Sequence, residues 1–355
     1  TLAHPDSGRL SATGTSADQI LFRRTPGIPG QNPKVISSLI TATSSTNGVI
    51  KIEGGDYITF SGIDVAENPS NTLTTRMTEW GYALVKRQNS TPFDGCQYVT
   101  IRNCTITLNK TNTNSVGIYT GNHVANATAA LTITAPSDAC NYCRFDSNNI
   151  SNVYSGINLN GYSAASPYLL FDHHNEIGEF GKNVIYDFGG SSTVAYGIYA
   201  TNQDSIRVVN DSIVGGNNTA QVVAGIYLQN GVNSSAFVRN NYISVTRSAS
   251  GGGNLYGIWN AFGGTPLQNT IEISGNSIID CYHPATSTGN LYGIYNTGGA
   301  GDLKIFDNLI DGSTLAGTAE HYGVYSSPTG TVQSIYDNQI RNLENTGTGK
   351  LVGIY

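Results

Sequence analysis

Short stretches of alternating apolar and polar residues, separated by polar loops, run through the whole chain. In Tyr57–Phe60 and in Thr270–Ile273, apolar side chains stand at every second position, which is the period of a half-buried β-strand. No stretch shows the 3.6-residue apolar period of an amphipathic helix. The pattern therefore predicts an all-β protein with almost no helix.

A tripeptide of glycine, an aliphatic residue and an aromatic residue recurs at intervals of 28 to 41 residues. Its copies are Gly117–Tyr119, Gly197–Tyr199, Gly225–Tyr227, Gly257–Trp259, Gly293–Tyr295, Gly323–Tyr325 and Gly353–Tyr355, with a degenerate copy at Gly156–Asn158. Between consecutive copies, an asparagine is followed two or three residues later by isoleucine. These turns are Asn103–Ile106, Asn148–Ile150, Asn183–Ile185, Asn210–Ile213, Asn241–Ile243, Asn276–Ile278, Asn308–Ile310 and Asn338–Ile340. Repeats of this length indicate one small structural unit that is stacked many times.

Each repeat has room for three short strands, and pairing every strand with its copy in the next repeat predicts a parallel β-solenoid. The aliphatic residues of the tripeptides would form an inward row, and the turn asparagines a second row in which each side chain bonds backbone or the next asparagine. From Gly62-Ile63 to Gly353-Ile354 we count about ten coils, a rod roughly 45–50 Å tall. We expect one domain over residues 1–355, with 1–48 as the N-terminal lead-in and first coil and 49–355 as the repeating coils.

The combined asparagine-turn and Gly-Ile-Tyr pattern resembles the right-handed, single-stranded parallel β-helix proteins, a superfold shared with pectate lyases and polygalacturonases. The opening segments Ser11–Glu53 and Gly55–Ile63 are similar to the first coils of large secreted β-helix proteins of Bacteroidota. This resemblance implies cargo of the type IX secretion system, placed outside the cell or on its outer surface. It also implies that the chain is part of a longer multidomain protein.

Composition agrees with an exported protein, because charged residues make up 12%, about half of the ~25% found in typical soluble domains. The net charge of −6 and the lack of a basic run argue against nucleic acid as a partner. No apolar run approaches the ~20 residues of a membrane-spanning helix. Tyr355 closes a repeat without a polar cap, so we expect the rest of a longer polypeptide, the secretion machinery or another partner at that end.

Five cysteines leave three interpretations open: disulfides, free buried thiols, or a metal or redox site. They are Cys96, Cys104, Cys140, Cys143 and Cys281. A single Cys-x-x-Cys is weak evidence for zinc, which needs four matched ligands. We expect no cofactor, and no motif supports Ca²⁺, since Gly298–Asp302 resembles one unit of a Ca²⁺-binding array that nothing repeats.

The densest group of ionisable residues is Phe171–Glu176. In a regular strand Asp172, His174 and Glu176 would share one face, and a histidine between two carboxylates can act as an acid or base. An ordinary solvated loop is the other interpretation. The short acidic and basic motifs that the resemblance would imply for a lyase or polygalacturonase are missing: there is no Asp-Asp pair, no Gly-His-Gly and no Arg-x-Lys.

Three insertions in the first half of the chain could form one wall beside a sheet and enclose a groove. They are Glu67–Gly95, Gly121–Asp138 and Tyr162–Pro167. Covering a sheet edge or the N-terminal end is the alternative role for these loops.

An outward aromatic row is the remaining candidate for a binding surface. Its members are Tyr119, Tyr199, Tyr227, Trp259, Tyr295 and Tyr325, interrupted at Asn158. Rings at coil spacing could stack on sugars, although identical rings also stack simply because this stabilises a solenoid. The tyrosines that precede the glycines, such as Tyr256, are expected on the core side. Ser205 and Ser212 resemble the Asp-Ser-aliphatic acceptor that Bacteroidota O-glycosylate.

The favoured hypothesis is a non-catalytic surface or secreted β-helix that acts as an adhesin, a glycan-contacting module or a stalk. One alternative is a polysaccharide lyase or glycoside hydrolase acting on a polysaccharide that contains uronic acid. Another is a structural subunit of a larger surface assembly.

Overall fold

The computed structural model describes residues 8–25, 30–87, 93–191, 193–264, 268–284, 288–329 and 332–355. Within these ranges the regular structure is β-strand, apart from two 3₁₀ turns, η1 (Thr74–Arg76) and η2 (Pro136–Asp138). No helix in the described ranges is long and apolar enough to cross a membrane.

Three long parallel sheets run along the molecule, and each coil adds one strand to each sheet. Sheet A contains β1 (Gly8–Leu10), β4 (Gly48–Glu53), β7 (Trp80–Lys86), β10 (Val116–Val124), β13 (Ser155–Asn160), β17 (Ala195–Thr201), β21 (Val223–Gln229), β24 (Leu255–Ala261), β28 (Leu291–Asn296), β32 (His321–Ser326) and β36 (Leu351–Ile354). Sheet B contains β2 (Ile20–Arg23), β5 (Ile58–Ser61), β8 (Thr100–Arg102), β11 (Arg144–Asp146), β15 (Glu176–Ile177), β19 (Ile206–Val209), β22 (Ala236–Arg239), β25 (Thr270–Ser274), β29 (Asp302–Phe306) and β33 (Gln333–Tyr336). Sheet C contains β3 (Lys34–Ile36), β6 (Asp64–Ala66), β9 (Thr105–Thr107), β12 (Asn149–Val153), β16 (Val184–Phe188), β20 (Ser212–Gly215), β23 (Tyr242–Val245), β26 (Ser277–Ile279), β30 (Leu309–Asp311) and β34 (Gln339–Arg341).

Five shorter strands extend the corners between these sheets. They are β14 (Asp172–His173), β18 (Gln203–Asp204), β27 (Tyr282–His283), β31 (Thr314–Leu315) and β35 (Glu344–Asn345). Each coil follows the order A, B, C, so the strands form ten complete coils, and β36 begins another. The predicted all-β parallel β-helix of about ten coils is confirmed.

The aliphatic row of the tripeptides lies in register along sheet A, from Ile118 to Ile354. Ile118, Ile198 and Ile258 have no exposed surface, and they belong to the continuous apolar cluster that fills the coils. Burial of each such side chain stabilises the fold by about 1.5–3 kcal/mol. The row is therefore the main apolar support of sheet A.

The predicted asparagine ladder forms between sheets B and C. Asn241 is typical: its Nδ2 donates to Asn276 Oδ1 at 2.9 Å and to the Val208 carbonyl at 2.9 Å. Its Oδ1 accepts the backbone N–H of Asp211 at 2.9 Å. Every coil that carries asparagine here satisfies its buried backbone in the same way.

The prediction is wrong for two residues of this ladder. Asn103 and Asn210 have φ values of 57° and 63°, and they form the left-handed turn one residue earlier. Cys104 and Asp211 occupy the ladder positions, since their backbone N–H groups donate to the next asparagine. Asparagine tolerates a left-handed backbone, so the turn and the ladder both favour it, and spacing alone could not tell them apart.

The N-terminal boundary of the repeat also differs from the prediction. Gly62 has a φ of 69° and lies in the turn between sheets B and C, outside the glycine row of sheet A. That row includes Gly81, where an added Cβ would lie 2.5 Å from the Gly117 carbonyl oxygen. The proposed insertion Glu67–Gly95 therefore contains a regular strand, β7 (Trp80–Lys86), which was missed because Tyr82 stands where later copies have isoleucine.

The tripeptide glycines bend sheet A and change which residues face outwards. Leu255 and Ile258 both point into the core, although they are three residues apart. Tyr256 consequently lies on the outer face beside Trp259, at a ring-centroid distance of 4.5 Å. A Cβ on Gly257 would come within 2.5 Å of the Gly293 carbonyl oxygen, which explains the glycine. The expectation that the preceding tyrosines face the core is wrong.

All five cysteines are free and buried, which is the second of the three interpretations. Among the residues described by the structure, no group of three or more His, Cys, Asp or Glu side chains is arranged to hold a metal ion.

Candidate functional site

A groove of about 720 Å³ crosses the outer face of sheet B over the first five coils. Its floor is a row of outward side chains on successive strands, paired in register. They are Thr59, Thr100, Arg144 and Glu176. We call this cavity the sheet-B groove.

One wall of the groove is a stack of four rings, which we call the tyrosine ladder: Tyr57, Tyr98, Tyr142 and His174. Successive ring centroids are 4.5, 4.9 and 5.1 Å apart, and the rings are nearly parallel. All four residues have φ values between 51° and 57°, in the left-handed region that aromatic residues seldom adopt. In each of these four coils the one-residue turn precedes the sheet-B strand, and its backbone N–H donates to a carbonyl of the next coil. The ladder thereby presents ring edges and hydroxyl groups along the groove.

The far end of the groove is charged. Arg144 Nε lies 2.8 Å from Glu176 Oε2, and the Arg144 guanidinium lies 4.6 Å from the ring centroid of Phe180, whose side chain is largely exposed. Asp146 Oδ1 accepts the Phe180 backbone N–H at 3.1 Å. Burial raises the pKa of Asp146, and the nearby Glu176 charge raises it further. One carboxylate is therefore ion-paired while the other has a raised pKa, an asymmetry that suits acid–base chemistry.

The structure brings together two of the three predicted catalytic candidates. His174 and Glu176 both line the sheet-B groove. Asp172 instead lies in the core with no exposed surface, 4.0 Å from Lys86 Nζ, and it accepts the Cys140 backbone N–H at 3.0 Å. The expected common face fails because the left-handed turn at His174 breaks the alternation between Asp172 and Glu176.

The tyrosine ladder and Asp146 were missed in the sequence, although a weak signal was present. Tyr57-Ile58-Thr59, Tyr98-Val99-Thr100 and Tyr142-Cys143-Arg144 recur 41 and 44 residues apart, at the repeat spacing. The triplets can be recognised only once each tyrosine is known to lie just before the sheet-B strand of its coil.

The predicted aromatic row lies on the outer face of sheet A, where a second row of tyrosines packs beside it. The two rows form one aromatic cluster, which includes Tyr196, Tyr199, Tyr227, Tyr256, Trp259, Tyr292, Tyr295, Tyr322 and Tyr325. Ring centroids within it are 3.9 to 5.9 Å apart, and Tyr227 is only 5% exposed. Because the rings cover one another, few ring faces remain open for a sugar. The row's role in ligand binding stays a prediction.

The row is interrupted at Asn158, where a second cavity of about 460 Å³ opens. Trp80 and Tyr119 line it from the N-terminal side, and Tyr196 and Tyr199 from the C-terminal side. The ring of Trp80 stacks on that of Tyr119 with a centroid distance of 4.7 Å.

The predicted insertions flank sheet A on two sides and do not form a single wall. Residues 67–79 connect sheet C to sheet A, whereas residues 125–138 and 161–171 lead from sheet A towards sheet B. Residues 88–92 of the first insertion lie outside the described residues.

The two predicted glycosylation sites differ in exposure. Ser205 is half-buried in a left-handed turn, and its Oγ donates to Asp204 Oδ2 at 3.4 Å. Ser212 is only 9% exposed within β20. Both sites stay predictions.

Comparison with known proteins supports the fold. No protein-family model and no curated protein sequence matches the chain. The crystal structure of the GH136 lacto-N-biosidase from Eubacterium ramulus is similar, with a TM-score of 0.53 and 10% identity, over 99% of this chain and 60% of that chain. The surface adhesin PfbA of Streptococcus pneumoniae has a TM-score of 0.32 at 9% identity, over 90% of this chain and 81% of that chain. A polygalacturonase from Erwinia carotovora has a TM-score of 0.24 at 10% identity, over 94% and 99%.

The chain thus spans about 60% of the length of the biosidase, and at this identity the similarity shows a shared parallel β-helix fold. Because a fold does not define a function, the functional evidence lies in the residues of the two cavities.

Proposed function

We propose that the protein is an exported, non-catalytic β-helix that binds a linear polysaccharide in the sheet-B groove. The observation that carries this proposal is the repetition of hydroxyl groups along the groove. Tyr57 with Thr59, and Tyr98 with Thr100, stand in the same arrangement on consecutive coils. Neighbouring coils are about 4.8 Å apart, close to the advance of one pyranose residue in an extended chain. Two successive sugars would therefore meet the same pair of hydroxyl groups.

The groove also offers the mixture of contacts that sugars require. The hydroxyl groups of the tyrosine ladder supply hydrogen bonds, and the exposed ring of Phe180 supplies an open apolar face at the end. Arg102 adds a cationic group, and its Nε donates to Ser61 Oγ at 3.3 Å. The ladder rings are already stacked, so little side-chain freedom would be lost on binding.

The extracellular or outer-surface location, the type IX secretion route and the role as adhesin or stalk are further parts of the proposal. They are supported by the low charged fraction of 12% and by the sequence resemblance of the opening coils. The glycan-directed part is supported by a lacto-N-biosidase that has a similar fold. Detecting peptides of this chain after protease treatment of intact cells would test the location.

The proposal is tested by binding of soluble linear polysaccharides, neutral and uronic-acid-containing, to the full chain and to Tyr142→Asn. Asparagine tolerates the left-handed backbone at this position, so the variant removes the ring without adding backbone strain. We expect at least a tenfold loss of affinity, a cost of about 1.4 kcal/mol. Tyr336→Asn is the matched control, because Tyr336 is also exposed and stacked, on Phe306 at 5.0 Å, but lies outside the groove. Equal losses in both variants would contradict the proposal.

Hydrolysis is the second candidate function, because the charged end of the groove holds Asp146 and Glu176 together. Glycosidases use a pair of carboxyl groups, one of which acts as a general acid with a raised pKa; burial raises the pKa of Asp146. Release of reducing or unsaturated ends is therefore measured in the same binding reactions. If such ends were released by the unmodified chain but not by Glu176→Gln, and if the variant still bound polysaccharide, hydrolysis would replace the non-catalytic proposal.

A further inference from the structure

The interruption of the aromatic row at Asn158 has the thickness of one ring. Asn158 pairs in register with Tyr119 on one side and Tyr199 on the other. These two positions are two strands apart, or about 9–10 Å. Stacked neighbours in this row, such as Tyr295 and Tyr325, have centroids 5.0 Å apart. A ring inserted beside Asn158 would therefore lie at stacking distance from Tyr119 on one side, and on the other side it would meet the Tyr196–Tyr199 pair, whose rings stack on each other at 5.1 Å. We call this space the Asn158 slot.

The walls of the slot are held in place before any ligand binds. Trp80 covers one face of Tyr119, which leaves the opposite face directed towards the coil of Asn158. The Tyr119 hydroxyl is hydrogen-bonded to His123 Nε2 at 2.9 Å, and the Tyr199 hydroxyl donates to Gln229 Oε1 at 2.8 Å. Rings fixed in this way lose little entropy when a ligand enters.

Polar groups lie around the edge of the slot. Asn158 Oδ1 is buried and has no hydrogen-bond partner in the described part of the chain. Glu79 also lines the cavity, is 2% exposed, and its Oε2 accepts the Asn47 backbone N–H at 2.7 Å. Burial, together with the nearby Glu67, raises the pKa of Glu79 to about 7. The site therefore combines two apolar walls with a polar rim.

We infer that the Asn158 slot binds a single pyranose ring whose hydroxyl groups are all equatorial, as in the glucose configuration. Such a ring presents C–H groups on both faces and hydroxyl groups around its edge, which matches aromatic walls and a polar rim. An axial hydroxyl would press a polar group against a ring face without a partner, at a cost in affinity. This site lies on sheet A and is independent of the sheet-B groove.

The test is NMR titration of the full chain with methyl β-glucoside, its 4-epimer methyl β-galactoside, and methyl α-mannoside. We expect the glucoside to bind about 10- to 100-fold more tightly than either axial isomer. Asn158→Tyr should abolish binding, because it adds the missing ring while matching the residue found at this position in the neighbouring coils. Thermal unfolding of this variant checks that the fold is kept.

A second pair of variants makes the result independent of how Asn158→Tyr folds. Tyr119→Ala removes one wall of the slot, whereas Tyr325→Ala makes the same change in the continuous part of the row, where Tyr325 stacks on Tyr295 at 5.0 Å. We expect loss of glucoside binding in the first and none in the second. Equal binding of the epimers, unchanged binding after both Asn158→Tyr and Tyr119→Ala, or no glucoside binding at all would overturn the inference. Tyr142→Asn in the sheet-B groove should leave glucoside binding intact, which separates this result from that of the polysaccharide experiment.

Discussion

The outer face of sheet A is covered by stacked rings in coils seven to ten, whereas a cavity opens on it beside Asn158 in coil five. In the later coils every position of the aromatic row holds a ring: Tyr227, Trp259, Tyr295 and Tyr325. In the earlier coils the same position holds Ala83, Tyr119 and Asn158 in turn. The cavity beside Asn158 lies where the repetition fails. Regular repetition therefore builds a sealed surface, and departures from it make space for a ligand.

Sheet B shows the same contrast. Its first five coils carry the sheet-B groove, with four stacked rings forming only one wall. In coils nine and ten the outward rings of Phe306 and Tyr336 stack directly on each other, 5.0 Å apart and nearly parallel. Both candidate sites thus belong to the less regular part of the molecule, which agrees with the general finding that insertions and exceptions carry function on solenoids.

The largest expected effect concerns the interior of the less regular half, where Lys86 and Asp172 are buried together without exposed surface. Asp172→Asn keeps the acceptor for the Cys140 N–H but leaves the Lys86 ammonium without its carboxylate. We expect a loss of about 3–5 kcal/mol in the free energy of unfolding, measured by urea denaturation. The double variant Lys86→Met/Asp172→Asn, which removes both charges, should recover most of it. If Asp172→Asn left the free energy of unfolding unchanged, the ion pair would not be needed for the stability of this half.

The second prediction concerns Asp211, which breaks the asparagine ladder in coil six. Burial raises the pKa of Asp211 to about 8, and its Oδ2 lacks a hydrogen-bond partner among the described residues. The unfolded chain releases this proton near pH 3.9, so the folded state binds one more proton between the two values. Stability is then fully present below about pH 4 and declines as pH rises towards 8. Asp211→Asn would restore a regular ladder and remove this dependence.

We expect Asp211→Asn to raise the free energy of unfolding at pH 8 by several kcal/mol, and to change it little at pH 4. Chemical denaturation at both pH values measures this difference. Asn241→Asp is the converse variant, since it places a carboxyl group in a regular position of the same ladder, and it should introduce the pH dependence that Asp211→Asn removes. A flat profile in the unmodified protein would contradict the prediction.

The parts of the fold that could be predicted from the sequence are those that repeat. The aliphatic row at Ile226 and Ile258 and the ladder at Asn241 and Asn276 obey one spacing in coil after coil, and each copy faces the same packing and hydrogen-bonding demands. Errors arose where the backbone departs from strand geometry. Tyr256 was assigned to the core because the bend at glycine cannot be seen from a two-residue alternation.

The candidate sites were predicted only in part, for the same physical reason. His174 and Glu176 were found because ionisable residues are conspicuous, but Asp172 was grouped with them because a left-handed turn leaves no clear mark on a histidine. Asp146 comes from a neighbouring coil and lines the same groove as Glu176 only because β11 pairs with β15. The gap at Asn158 is visible in the sequence, but the stacking of the surrounding rings, which makes it a candidate binding site, could not be foreseen.

The smallest expected effect tests the regular half through two glycines at the same position of the repeat. A Cβ on Gly257 would lie 2.5 Å from the Gly293 carbonyl oxygen and 2.8 Å from Ile278 Cγ2, whereas a Cβ on Gly353 meets nothing within 4 Å. Backbone on the neighbouring coil cannot move aside without disturbing the sheet, so Gly257→Ala should lower the free energy of unfolding by about 1–3 kcal/mol. Gly353→Ala should change it by less than about 0.5 kcal/mol. Both variants are measured by thermal and urea unfolding. If the two substitutions lowered stability equally, local backbone preference would explain the glycine, and close packing of successive coils would not.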